Sequence, residues 1–127
     1  MNKINVAIVD DNEKIVSLLD NILQKDENIE VVGKADNGMG ALDVIREQEP
    51  DVVLLDYMMP GMDGPEVFRR MQEDERTQGI PVFFMTAVTD RDRVLECMEM
   101  NPEEYLVKPV SSSKLLKKLS DLFEKES

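Results

Sequence analysis

Asp10 and Asp11 stand side by side directly after an apolar run, Ile4 to Val9, and Asp56 directly follows another, Val52 to Leu55. Thr86 closes a third run, Ile80 to Met85, and Lys108 closes a fourth, Tyr105 to Val107. Three carboxylates gathered within a few ångströms repel one another, and each then resists ionising. A divalent cation relieves that repulsion. A hard, oxygen-seeking ion such as Mg²⁺ suits a donor set made of carboxylates, carbonyls and water. A carboxylate beside such an ion can also act as a nucleophile and form an aspartyl phosphate. A lysine then supplies a point charge, and a threonine hydroxyl a hydrogen bond, to the phosphoryl oxygens. Taken singly, each residue has a plainer role. Asp10 and Asp11 could cap a helix, Asp56 could open a turn before Pro60-Gly61, Thr86 could cap a helix, and Lys108 could be a surface lysine. Together, at the ends of four apolar runs, they point to one site.

The rest of the composition narrows the chemistry. The chain has 127 residues, with Lys+Arg 15 against Asp+Glu 27 and a formal net charge of -12. It contains no histidine, which excludes Ser-His-Asp and Cys-His nucleophiles and any His-ligated zinc. The single cysteine, Cys97, excludes an intramolecular disulfide and Cys-only metal clusters, and it fits a reducing cytoplasm. The acidity argues against nucleic acid, because polyanion binding needs clustered Lys and Arg. The densest basic group, Lys114, Lys117 and Lys118, reads as a solvated helix face. No apolar run approaches a membrane span, and the first residues lack a signal-peptide hydrophobic region, so a cytoplasmic location is expected.

Elements that could position these residues follow from the patterning. Five short runs rich in Val, Ile and Phe (the four above and Ile29 to Val32) are near-continuous, as in strands buried on both faces. Between and after them lie helical stripes: Ile15, Leu18, Leu19, Ile22 and Leu23; Met39, Ala41, Leu42 and Ile45; Val67, Phe68 and Met71; Val94, Leu95 and Met98; Leu115, Leu116, Leu119, Leu122 and Phe123. Pro65 suits a first helical turn, and Ser111 to Ser113 are candidate caps. Pro50, Gly79 and Asn101-Pro102 punctuate the helix ends. Five β-α repeats predict one α/β domain over residues 1–127, a doubly wound parallel sheet with helices on both faces. Five strands favour the order 2-1-3-4-5, in which the ends of strands one, three, four and five share an edge. Ligands bind at those carboxyl ends. The turn after strand one reads Asp-Asp-Asn-Glu and has no glycine nest, which argues against NAD or ATP.

These residues closely resemble the receiver domain of bacterial response regulators, the CheY-like fold. The resemblance rests on Val9 to Asn12, Pro50 to Asp56, Met59 to Gly64, Thr86-Ala87 and Tyr105 to Pro109, in order along the whole chain. It implies that Asp56 is the phospho-acceptor and that Asp10, Asp11, Asp56 and the Met58 carbonyl hold Mg²⁺. It implies that Lys108 pairs with the phosphoryl group and that Thr86 and Tyr105 move as a switch. It also implies a cis bond before Pro109, aiming the lysine inward, and Gly64 and Pro65 at the start of the third helix. The implied partner is a sensor histidine kinase or phosphotransfer protein, with an output domain or target protein downstream. The chain would phosphorylate and dephosphorylate itself rather than turn over a free substrate.

Two departures from the family pattern bear on geometry and lifetime. Asn101-Pro102 stands in a turn that often holds glycine, and asparagine tolerates the left-handed backbone there. Met58 and Val88 are apolar where many relatives carry polar side chains, which implies poorly positioned water and a long-lived phosphoryl group. A homodimer through the fourth helix, fifth strand and fifth helix would bring Arg91, Arg93, Lys117 and Lys118 against Glu103 and Glu104. Two rival functions remain. One is a pseudo-receiver, the same fold acting independently of phosphate. The other is an aspartyl-phosphate hydrolase, which expects an Asp-x-Asp nucleophile on strand one and a longer chain.

Overall fold

The computed structural model describes residues 3–87 and 91–125. Five strands, β1 (Ile4–Val9), β2 (Ile29–Ala35), β3 (Val52–Asp56), β4 (Val82–Ala87) and β5 (Glu104–Lys108), alternate with five helices. The helices are α1 (Glu13–Gln24), α2 (Gly38–Gln48), α3 (Gly64–Glu73), α4 (Arg91–Glu99) and α5 (Ser112–Lys125). All strand pairs are parallel, and the sheet order is β2-β1-β3-β4-β5. The direction of winding reverses between β1 and β3, so a cleft opens beyond their carboxyl ends.

The near-continuous apolar strands have a direct physical cause. Alternate residues of β1, β3 and β4 feed two separate cores. Ala7, Val9, Val53, Leu55 and Phe84 join α2, α3 and Cys97 of α4. Val6, Ile8, Val52, Leu54, Phe83 and Met85 join α1 and α5. Each fully buried side chain of this size contributes about 1.5–3 kcal/mol, so both faces must be apolar.

Strand boundaries differ from the apolar runs by one residue in β3 and at each end of β5, and by two or three residues in β4 and β2. β4 starts at Val82 rather than Ile80, because Ile80 closes a turn onto Thr77 and Pro81 has no N–H to donate. β2 runs on to Ala35, since Gly33, Lys34 and Ala35 stay in register with β1 past an irregularity at Val6/Ala7.

The helical stripes need more correction. Leu19 and Leu23 of α1 and Ala41, Leu42 and Ile45 of α2 are buried, but Leu18 and Met39 are more than half exposed. Among the described side chains of α4, Cys97 is buried, while Leu95 and Met98 face solvent. The side chain of Val94 lies outside the described residues. An apolar residue is exposed at no great cost when its helix can reach the sheet with only part of its stripe. Ser111 receives the Lys114 N–H at 3.4 Å and so caps α5. Asn101 takes a left-handed φ of 55°, and Glu49 closes α2 with a φ of 42°.

Candidate functional site

The acidic pair reaches its position through the start of α1. Asn12, not either aspartate, caps that helix, accepting the N–H groups of Lys14 at 2.9 Å and Ile15 at 3.3 Å. Asp10 Oδ1 accepts the Asn12 N–H at 2.9 Å, which closes a tight turn and holds Asp10 fully buried. Asp11 is left exposed at the mouth of the cleft.

Asp56 ends β3 and is buried. Its neighbour Tyr57 locks the strand end on both sides. The Tyr57 N–H donates to the Met85 carbonyl at 2.9 Å, and its carbonyl accepts from Gly64 at 3.1 Å. Gly64 has to be glycine here. A Cβ at that position would stand 2.4 Å from the Asp56 carbonyl oxygen and 2.9 Å from the Tyr57 Cα. Asp63 caps α3 by accepting the Glu66 N–H at 3.0 Å, and Pro65 occupies its first turn.

Lys108 arrives from β5, two strands away from β3. Its Nζ lies 2.9 Å from Asp10 Oδ2 and 3.2 Å from Asp56 Oδ1. The peptide bond from Lys108 to Pro109 is cis. Thr86 is buried at the end of β4, and Tyr105 of β5 is half-buried against the α2–α3–α4 core. Asp10, Asp11, Asp56, Met58, Thr86 and Lys108 all line one cleft of about 220 Å³, together with Asn12, Ile15, Tyr57 and Ala87. The Met58 N–H points to Asp56 Oδ1 at 3.4 Å, and its side chain is exposed. Tyr105 is not among the lining residues.

The electrostatics follow from this crowding. Burial, and next the Asp10 charge, push the Asp56 carboxyl up to about 7, against the downward pull of Lys108. Burial on its own lowers the Lys108 pKa, but the adjacent Asp10 and Asp56 carboxylates outweigh it and raise the ammonium above its ordinary value. Carboxylate oxygens of Asp10, Asp11 and Asp56 lie within 4.8 Å of one another. Asp10 Oδ2 is buried and pairs with Lys108 by charge alone, outside hydrogen-bond geometry. An under-satisfied buried oxygen beside two further carboxylates fits a hard divalent cation.

A larger groove of about 840 Å³ runs past Arg46, Arg70 and Arg76, but its charges neutralise one another. Arg46 and Arg76 pair with Asp74, and Arg70 pairs with Glu66. Size alone does not select the site. Sequence reasoning did not single out Tyr57 or the capping role of Asn12. The available signals were a hydroxyl-bearing aromatic right after Asp56 and an Asx residue right before α1. Val88 lies outside the described residues, as do the side chains of Arg91 and Arg93. Lys118 is already paired with Glu104 of its own chain at 2.9 Å, and Lys117 with Asp121 at 3.6 Å. Among the described residues, no helix is long and apolar enough to cross a membrane.

Known proteins share this arrangement of chain. The family model for the response regulator receiver domain matches residues 6–120. Chemotaxis protein CheY-3 of Vibrio cholerae is 31% identical over 126 residues, covering 98% of this chain and 96% of that protein. Chemotaxis protein CheY of Pseudomonas aeruginosa is 32% identical over 120 residues, covering 94% and 96%. The crystal structure of Vibrio cholerae CheY4 superposes with a TM-score of 0.82 at 28% identity, covering 94% of this chain and 98% of that one. With a parallel β2-β1-β3-β4-β5 sheet and a family match across nearly its whole length, this chain belongs to the CheY-like receiver domains of two-component response regulators.

Proposed function

We propose that residues 1–127 act as a phospho-accepting receiver in the cytoplasm, taking a phosphoryl group from a histidine kinase or phosphotransfer protein onto Asp56. The observation that carries this reading is the convergence of Asp56, Lys108 and two further carboxylates at one sheet edge. Asp56 Oδ attacks the phosphorus of a phosphohistidine. The new O–P bond forms as the N–P bond breaks, and the imidazole leaves with the electron pair and takes up a proton. These 127 residues hold no histidine, so the donor is a phosphohistidine outside them or a small phosphodonor. Asp10, Asp11, Asp56 and the Met58 carbonyl would hold Mg²⁺, which when bound neutralises phosphoryl charge.

Lys108 holds the transferred group by charge, and the buried Thr86 hydroxyl donates to one of its oxygens. Thr86 moving toward that oxygen frees space for Tyr105 to turn inward. This biases a two-state equilibrium in α4, β5 and α5 toward a form that an output domain, target protein or second copy recognises. Water then hydrolyses the acyl phosphate, so the chain acts on itself and not on a free substrate.

An amide NMR titration with Mg²⁺ and then beryllofluoride tests this, with Asp56→Asn as control. Slow-exchange shifts at Asp56, Thr86, Tyr105 and Lys108 that vanish in the control are expected. Shifts with Mg²⁺ alone, or none, would overturn the reading in favour of a phosphate-independent interaction module.

A further inference from the structure

Tyr57 is a rigid strut between the phospho-acceptor strand and α4. Its backbone is bonded on both sides, to Met85 and Gly64, and its ring is buried edge-on against Phe84 with centroids 5.4 Å apart. At its far end the phenol hydroxyl donates to Glu96 Oε2 on α4 at 3.1 Å. The acceptor is a charged carboxylate, and the bond is longer than the about 2.5–2.7 Å of the strongest bonds of that kind, so its worth is that of an ordinary hydrogen bond. Among the described side chains of that helix, Cys97 is buried while Leu95, Glu96 and Met98 face solvent. Local stability varies along a fold, and a tie from a buried strand end to a helix adds to the stability of that helix.

We propose that the Tyr57–Glu96 bond is a latch that holds α4 in its unmodified position and opposes modification of Asp56. The proposal rests on the phosphoryl-switch reading above. In this proposal a shift of Thr86 toward a phosphoryl group displaces α4, the element that follows β4 in the chain. Tyr57 is fixed to β3 and does not follow. The hydroxyl and the Glu96 carboxylate then separate, and the bond is lost. An interaction made only in the unmodified state must, by linkage, weaken binding of whatever selects the other state.

The test is a double-mutant cycle of Tyr57→Phe and Glu96→Ala, with Glu96→Gln retaining a neutral acceptor. Amide hydrogen exchange is measured on the Mg²⁺-free, unmodified protein, and beryllofluoride affinity is measured with Mg²⁺. Tyr57→Phe keeps the buried ring, so exchange in the sheet should not change. Each single variant should lower α4 protection and raise beryllofluoride affinity about fivefold, the effect of one lost interaction of about 1 kcal/mol. The double variant should go no further, and Glu96→Gln should fall between. Unchanged α4 protection, additive effects, or loosened α4 with unaltered beryllofluoride affinity would each overturn the latch. Wild-type protein that fails to bind beryllofluoride would overturn the phosphoryl reading itself, and with it the linkage, even with α4 exchange coupled as described.

Discussion

The Lys108 ammonium stands 3.2 Å from Asp56 Oδ1, although the two residues lie on β5 and β3 with β4 between them. The lysine crosses the end of an intervening strand to reach the carboxylate. It also touches Asp10 at 2.9 Å, and so it counterbalances two buried negative charges at once.

Removing that ammonium should have opposite effects on two ligands. Lys108→Met leaves Asp10 and Asp56 buried without their cation, which should cost about 3 kcal/mol in EDTA. Mg²⁺ should recover part of that stability, because a competing positive charge is gone, while beryllofluoride binding should be abolished. Urea titrations with and without Mg²⁺, alongside the NMR titration, check this. Weakened Mg²⁺ binding would show that the lysine is not competing with the ion.

Asp56 makes stability pH-dependent. Its carboxyl is raised to about 7, so the folded state holds its proton more tightly than the unfolded chain does. The associated stability is fully present below about pH 4 and is lost as pH rises through about 7. Asp56→Asn in EDTA should therefore be near neutral at pH 4 and increasingly stabilising as pH rises toward 8, by up to about 4 kcal/mol. Denaturation across that range would refute the assignment if the mutant's advantage did not grow with pH.

Gly64→Ala should damage the site without touching its reactive groups. The added Cβ meets the Asp56 carbonyl oxygen and the Tyr57 Cα, and backbone cannot rotate out of the way as a side chain can. A loss of about 2 kcal/mol and weaker Mg²⁺ binding are expected. A fully stable variant with normal Mg²⁺ affinity would contradict so close an approach of α3 to the end of β3.

Two left-handed residues provide a paired comparison. Glu49 closes α2 at φ 42° and Asn101 follows α4 at φ 55°. Glu49→Gly should stabilise by about 1 kcal/mol, since a Cβ is costly there. Asn101→Gly should change little, because asparagine already tolerates this region. Thermal unfolding of the two variants gives the comparison, and equal gains would argue against the backbone explanation.

Met58 lines the cleft with an exposed apolar side chain beside Asp56. A polar side chain there could hydrogen-bond an attacking water, so Met58→Asn should shorten the phosphoryl lifetime severalfold. Following the decay of phosphorylated protein by intact mass checks this, and an unchanged half-life would count against it.

The strand positions, the β-α alternation and the acidic residues at the strand ends were all legible in the chain. Their signal is local: a strand buried on both faces needs a continuous apolar run, and a ligand-binding end needs the polar residue right after it. What only the tertiary structure decided was which part of each helical stripe reaches the sheet. Leu18, Met39, Leu95 and Met98 fit their periodicity and still face solvent, while Cys97 is buried, because docking angle and helix length set the contact. The same holds for Asn12 rather than the aspartates as the α1 cap, and for the reach of Tyr57 to Glu96 across 39 residues of sequence. Such pairings depend on where two elements come to rest against each other. Spacing along one element determines what it can bury, and the packing of its neighbours determines what it does bury.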